Sequence, residues 1–431
     1  MRRLSDNGYE CYLVGGCVRD SIAGITPHDF DLTTSAFPSQ TAACFHDYKV
    51  IDIGIKHGTV AVISEGHTVE ITTYRVDGEY SDNRHPREVR FTRSLKDDLS
   101  RRDFTVNAIA MDSDLNVVDL FGGISDIKSK IIRCVGNPEN RFDEDGLRII
   151  RAIRFASVLG FDIDGDTSAA IHKKRELLLN ISVERIFAEL QKLICGQNAE
   201  QILLDYADVI GEIIPEFKPC IGFDQRNPHH CYDVYTHIVK SVSAAQPDVV
   251  IRLVMLFHDI GKPCKYTLDS NGIGHFKMHP VASMEIADTV LRRLKCSNKL
   301  REEVCTLIKM HDDRILPRKK SIVRWIRKLG YGGCKKLIEI QRADAKAHAP
   351  GCMEETFKRI NEIEKLINEY EQSGLCCTLD QLAISGTDII AAGVKPGETV
   401  GVLLNKLLDQ VTYGECENSR EALLEHLDRL I

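Results

Sequence analysis

The strand-forming signal in this chain stops near residue 132. Over residues 12–132, short β-rich runs (CYLVGG, TVAVIS, TVEITTYR, VNAIAM) alternate with polar, turn-rich stretches, the pattern of an α+β unit built on a small mixed sheet. From residue 143 onward, apolar residues recur at helical spacing in EDGLRIIRAIRFASVLG, SVERIFAELQKLI and residues 354–370, and no further strand is expected. The chain therefore reads as an α+β head followed by all-α regions.

At 431 residues there is room for two to four domains. The expected division is a head over 1–140, a helical neck over 141–195, a body or linker over 196–228, a histidine-rich helical unit over 229–350 and a helical tail over 351–431. Seven of the fifteen histidines lie between His229 and His311, which marks that fourth unit as a metal-binding candidate. Fifteen scattered cysteines without a CxxC pair suit a reducing, cytoplasmic setting. No apolar stretch reads as a signal peptide or a membrane span.

With 56 basic and 63 acidic residues, net charge −7, any surface for an acidic partner has to be local. One such patch is RHPREVRFTRSLKDDLSRRDF, where Arg84, Arg87, Arg90, Arg93, Lys96, Arg101 and Arg102 outnumber the acids. Arg forks suit phosphate and ribose, so Arg101, Arg102 and Asp103 are candidates for clamping a nucleotide. Upstream, LVGGCVRDSIAGITPHDFDLTTSA places Gly15-Gly16 at a strand end, where backbone N–H groups can cradle a triphosphate. Asp29 and Asp31 follow, two apart. On a strand they share a face and can hold the same Mg²⁺ ions, with Glu70 as a candidate third carboxylate.

LVGGxVRD, DFD, RRDFTVNA, DLFGG, EDGLRIIRAIRFA and ISVERIFAEL, in this order, resemble the class II tRNA nucleotidyltransferase and bacterial poly(A) polymerase superfamily. The C-terminal GTDIIAAGVKPGETVGVLLNKLLDQV is similar to the tail of bacterial CCA-adding enzymes. The resemblance implies a nucleotidyltransferase head, a helical neck, and body and tail regions that hold the acceptor arm of tRNA. It places the metal carboxylates at Asp29 and Asp31. The nucleotide site falls at Gly15, Gly16, Arg19, Arg101, Arg102, Asp103, Asn107, Asp145, Arg148, Arg151 and Arg154.

Asp145 and Arg148, three apart, are expected on one helix face. Cytosine and adenine each present an amino donor beside a ring-nitrogen acceptor, whereas uracil and guanine present a carbonyl beside an N–H. A carboxylate and a guanidinium therefore fit C and A alone, with a bidentate contact worth ~1–3 kcal/mol of discrimination. CTP, ATP and tRNA are the expected partners. A poly(A) polymerase, an enzyme adding only CC or only A, and a non-catalytic RNA-binding protein are the alternatives. The C-terminus REALLEHLDRLI is not strongly basic, which favours the tRNA substrate.

A second group, His237, His258-Asp259, His279 and His311-Asp312, resembles the HD metal-dependent phosphohydrolases. Imidazole plus carboxylate suits Mg²⁺ or a divalent transition metal. Either Asp312 or Asp344 closes the set, and His229, His230 and His275 read as bystanders. A metal-free structural remnant is the alternative.

Overall fold

The computed structural model describes residues 1–27, 29–54, 58–64, 66–77, 89–349 and 353–431. Arg84, Arg87 and most of the loop 74–90 lie outside the described residues. The head is a seven-stranded mixed sheet in the order Lys49–Gly54, Thr59–Ser64, His67–Thr73, Asp31–Thr34, Cys11–Val14, Ile109–Met111, Val117–Asp119. Only the Asp31–Thr34 and His67–Thr73 pair is parallel, and its register sets Asp31 opposite Glu70. Because strand neighbours in register share a face, the third candidate carboxylate sits beside the second.

The head is followed by helices, as the loss of β periodicity predicts, with two exceptions. Ile131–Ile132 pairs in parallel with Asp162–Ile163, and a hairpin joins Thr267–Leu268 to Gly274–His275 through a turn at Asn271-Gly272, where Gly272 has φ 75°. Strands of two residues are too short to leave a period in the sequence, and here backbone pairing at a turn forms them.

One hydrophobic core runs from Cys17 and Val18 in the head, through the neck helix Leu147–Leu159, to Val249–Phe257 and on to Cys377. The neck helix joins the two halves because Ile149, Ile150 and Ile153 are fully buried, and Gly160 in the left-handed region ends it. A small separate core around Leu403, Leu407 and Leu423 holds the tail helices Glu398–Tyr413 and Arg420–Asp428 together. The run Lys319–Lys346 is broken at Gly330 (φ 69°, ψ 173°), and Met353–Gln372 packs against it. Among the described residues, no helix is long and apolar enough to cross a membrane, and the fourteen cysteines are free.

Candidate functional site

Asp31 opens its strand at the sheet's rim, and Asp29 lies just before it, outside any regular element. Partial burial raises the Asp31 carboxyl above its ordinary range; Arg102 opposes this shift and the Asp29 charge adds to it. Gly15, with φ 79°, turns the chain from Cys11–Val14 into the helix Gly16–Ile22. A Cβ there would lie 3.3 Å from Arg102 Nη1 and 4.0 Å from Asp31 Oδ2. The glycine thus leaves room for a cation and a carboxylate to face each other across the turn.

Both arginines of RRDF hang on Asp98, a fully buried carboxylate that sequence reading passed over. Arg101 donates to its Oδ1 at 3.0 and 2.8 Å, Arg102 lies 3.6 Å from Oδ2, and Thr33 donates to it at 3.0 Å. Burial alone would raise the Asp98 carboxyl, but these cations hold it below its usual range. Arg102 Nε is buried with no hydrogen-bond partner, so the guanidinium retains donor capacity.

The remaining head and neck candidates form one chain of contacts. Arg19 donates to Asn107 Oδ1 at 2.6 Å, Asn107 to Asp103 at 3.2 Å, and Arg151 to Asp103 at 2.6 Å. Arg151 also lies 3.8 Å from Glu189, to which Arg154 donates at 2.6 Å. Burial would raise the Asp103 carboxyl, but the Arg151 charge and hydrogen bond outweigh it and hold the group at about 2. Arg19, Arg151 and Arg154 surround the Phe155 ring at 5.4, 5.3 and 3.5 Å from its centroid, a stacking arrangement that fixes three guanidinium planes. Neither Glu189 nor Phe155 was singled out by the sequence.

The expectation that Asp145 and Arg148 share a helix face is corrected. Asp145 is extended (φ −139°, ψ 104°) and precedes the helix, accepting from the Leu147 N–H at 3.0 Å as a cap does. The break is at Asp145 itself, the extended cap of the helix Pro138–Glu144; Gly146 already has helical dihedrals and caps the next helix, where its bare Cα lets the chain pass close to Leu177. Asp145 pairs with Arg185 at 3.4 Å. Arg148 instead is held by Glu144 at 2.6 Å and by the Arg101 carbonyl at 2.8 Å, which ties the neck to the RRDF turn.

In the helical half, His237, His258, Asp259 and Asp344 converge. His237 Nε2 lies 3.0 Å from Asp344 and 3.1 Å from Asp259, and His258 Nε2 lies 3.3 Å from Asp259 and 3.4 Å from Asp344. A second group shares Asp259: its other oxygen is 3.2 Å from His279, which is 3.3 Å from His311. Asp344, on the long Lys319–Lys346 run, is therefore the aspartate in the ligand group. Asp312 lines the adjoining cavity, its carboxyl raised by burial.

The second nitrogen of three rings is fixed by backbone carbonyls of Met255, Phe276 and Ile308, which frees Nε2 of His258, His279 and His311 for ligation. Burial would lower the His258 imidazolium, but Asp259 and Asp344 lift it to about 10; His311, facing burial and the His258 charge, falls to about 3.

His230 is not a bystander. Its ring stands 5.2 Å from His237 and 4.6 Å from His348, and the three form a further group of close donors. Lys262, also missed, is buried with its ammonium 2.7 Å from Asp259. His275 pairs with Asp269 on the hairpin and belongs to none of the close-donor groups, though it lines the same groove as His279 and His311. Among the described residues, every group of three or more donors within 4.8 Å belongs to this cluster; Asp29, Asp31 and Glu70 do not close to that spacing.

Three family models match the chain: a poly A polymerase head domain over residues 11–133, a probable RNA- and SrmB-binding site of polymerase A over 160–221, and a putative second domain of tRNA nucleotidyltransferase over 278–427. A CCA-adding enzyme of Ligilactobacillus salivarius is 34% identical, over 100% of this chain and 95% of that one. The chain belongs to the CCA-adding enzyme family. A relative from Oceanobacillus iheyensis is 49% identical over 50% of this chain and 54% of its own. The crystal structure of the Bacillus stearothermophilus CCA-adding enzyme in complex with CTP superposes with a TM-score of 0.74 at 30% identity, covering 100% of this chain and 95% of that one. The Thermotoga maritima CCA-adding enzyme complexed with tRNA shares the fold, with a TM-score of 0.57 at 20% identity over 100% and 93% of the two chains.

Proposed function

We propose that this chain builds or repairs the 3′-terminal CCA of tRNA from CTP and ATP, in the cytoplasm, using the head and neck residues described above. The observation that carries this reading is the meeting of Asp31 and Arg102 over Gly15, beside Glu70 in register and next to the Arg101–Asp103 turn that contacts the neck. Asp29 and Asp31, with Glu70, are hard oxygen donors on and just before two neighbouring interior strands, with Asp31 at its strand's start, a donor set that fits Mg²⁺. When bound there, Mg²⁺ supplies positive charge against the triphosphate and the attacking 3′-hydroxyl. The protein's own part is positioning. Gly15 and Gly16 admit the phosphates close to the backbone; Arg102 and Arg101 face them; Arg19, Asn107, Asp103, Arg151 and Arg154 form the rigid wall against which the sugar and base are placed.

Base choice is assigned to Asp145 and Arg148. Glu144 holds Arg148 in place, Arg185 holds Asp145, and the two together offer an acceptor and a donor to the edge shared by C and A. Rejection of U and G follows because their inverted edge would leave both protein groups unpaired. The test is incubation with tRNA lacking CCA and each labelled NTP alone, then in pairs. Incorporation of C without A, then of A only after C, is the expected outcome; addition of long A runs with ATP alone would favour a poly(A) polymerase.

The His/Asp cluster supports a second, separate activity, hydrolysis of a phosphate ester. His237, His258, Asp259 and Asp344 would hold one divalent cation, and Asp259, His279 and His311 another; such cations supply charge against phosphate and acidify a water. In that reaction water adds to phosphorus, the ester P–O bond breaks and the freed hydroxyl takes the proton. Phosphate release measured with Mg²⁺, Mn²⁺, Ni²⁺ and Co²⁺ added one at a time tests it.

A further inference from the structure

Residues 314–328, RILPRKKSIVRWIRK, contain seven cations and no carboxylate, in a chain whose net charge is −7. Folding neutralises little of this. Arg327 pairs with Asp409, Lys319 sits over Tyr413 and Lys328 over Trp325, while Arg314 and Arg324 have no ion-pair partner among the described residues. Arg359, on the helix Met353–Gln372, has none either, and its Nε is buried without a hydrogen bond.

These side chains are arranged along a path. A cavity of about 610 Å³ opens on the cluster at His311, Asp344 and His348 and carries Arg314 and Arg359 on its far side. Arg314 also lines a second groove, of about 370 Å³, together with Arg324 and Lys328. Arg314 therefore joins the two spaces, and the cations continue outward from the metal ligands past the first cavity. Asp313 lines both spaces beside Arg314, and Asp312 and Glu355 line the first; the Glu355 charge acts on Arg359, but none of the three forms an ion pair with these cations. Burial and the Arg314 charge both depress the Arg359 guanidinium, as expected of two cations held together for a shared anion.

We propose that the cluster acts on the phosphate at the end of a single nucleic-acid strand, and that Arg359, Arg314, Arg324 and Lys328 hold the phosphates preceding it. Inorganic phosphate would fill a small part of a 610 Å³ space, which is of the size that encloses a nucleotide-sized ligand. A mononucleotide would leave the second groove and its cations unused. A strand presents one charge per nucleotide, which is what an extended row of unpaired cations can meet. The inference rests on the hydrolase reading of the cluster for its chemistry, though not for its binding surface.

The experiment uses the full chain, a 5′-labelled oligoribonucleotide of eight residues ending in a 3′-phosphate, and adenosine 3′-monophosphate as the short comparator. Binding is followed by anisotropy in chelator, across a salt series, for the parent, Arg359→Gln and the double variant Arg324→Gln, Lys328→Gln, whose residues line only the second groove, each checked for an unchanged thermal unfolding curve. Phosphate release is then read with metal restored.

The double variant should bind the strand at least about tenfold more weakly, with the salt slope reduced by about 0.7 for each contact removed. Its release of phosphate from the mononucleotide should stay within about twofold. Variants that bind the strand as the parent does overturn the track, even when phosphate is released from both substrates. Cation-dependent strand binding without phosphate release under any metal keeps the track and overturns the hydrolase reading.

Discussion

Arg151, on the neck helix, donates two hydrogen bonds of 3.0 and 2.6 Å to one oxygen of Asp103, which closes the head's RRDF turn. Forty-eight residues separate them, and this contact fixes the RRDF turn of the head to the neck helix. Its strength is pH-dependent. The Asp103 carboxyl sits at about 2 in the folded chain against ~3.9 unfolded, so the contribution, about 2 kcal/mol, is complete above pH ~4 and is lost as pH falls towards 2. Acid unfolding of the parent should show this slope, and Asp103→Asn should lack it; identical acid titrations would remove Asp103 from the role.

Asp29→Ala and Asp31→Ala should each lower nucleotide incorporation by at least about a thousandfold while leaving tRNA binding and thermal unfolding close to the parent. A double variant that still incorporates at near-parent rates would refute the carboxylate assignment.

Gly15→Ala tests the turn between them. The substitution forces a side chain into φ 79° and sets a methyl 3.3 Å from Arg102, so activity should fall at least tenfold with a stability loss of roughly 1–2 kcal/mol. Steady-state kinetics beside a melting curve separates the two effects.

Asp145→Ala should erode the preference for C and A over U and G with both nucleotides. Glu144→Gln should do so more weakly, because it loosens Arg148 without removing it. Misincorporation ratios for the four NTPs are the measurement, and unchanged ratios in both variants would contradict base reading by this pair.

His258→Ala should abolish phosphate release and leave CCA addition within a few-fold of the parent. Asp259→Ala is the wrong variant for that separation. It strands the buried Lys262 ammonium without its carboxylate, at a cost of about 3–5 kcal/mol, so its melting temperature should drop far more than that of His258→Ala. Equal melting curves would show that Lys262 is not held by Asp259.

The carboxylates and arginines of the head were legible in the sequence because DFD and RRDF are local patterns, and the shift from a two-residue to a helical period marked where the sheet ends. What the sequence concealed are partners brought together over distance. Asp98 looked like one more acid in a charged loop, and Glu189 like an ordinary helix residue; each gains its role from arginines that folding delivers to it. Asp312 and Asp344 could not be told apart on paper, since adjacency to His311 favours the first and only the packing of the Lys319–Lys346 run brings in the second. The helical placement of Asp145 failed for a local reason, because periodicity does not register the single extended residue at which one helix stops and the next begins. His230 and His348 carry no motif, and they became visible only as neighbouring rings.

The core that runs unbroken from Cys17 to Cys377 joins the head and the His/Asp cluster through one apolar seam. The head cannot be cut free of the His/Asp half without tearing open that seam, and the tail, though it has a small core of its own, is clasped to the body by Arg327, which bonds the Cys377 carbonyl, Asp409 and Thr412. Separating the two halves should therefore begin with point substitutions in place of truncation.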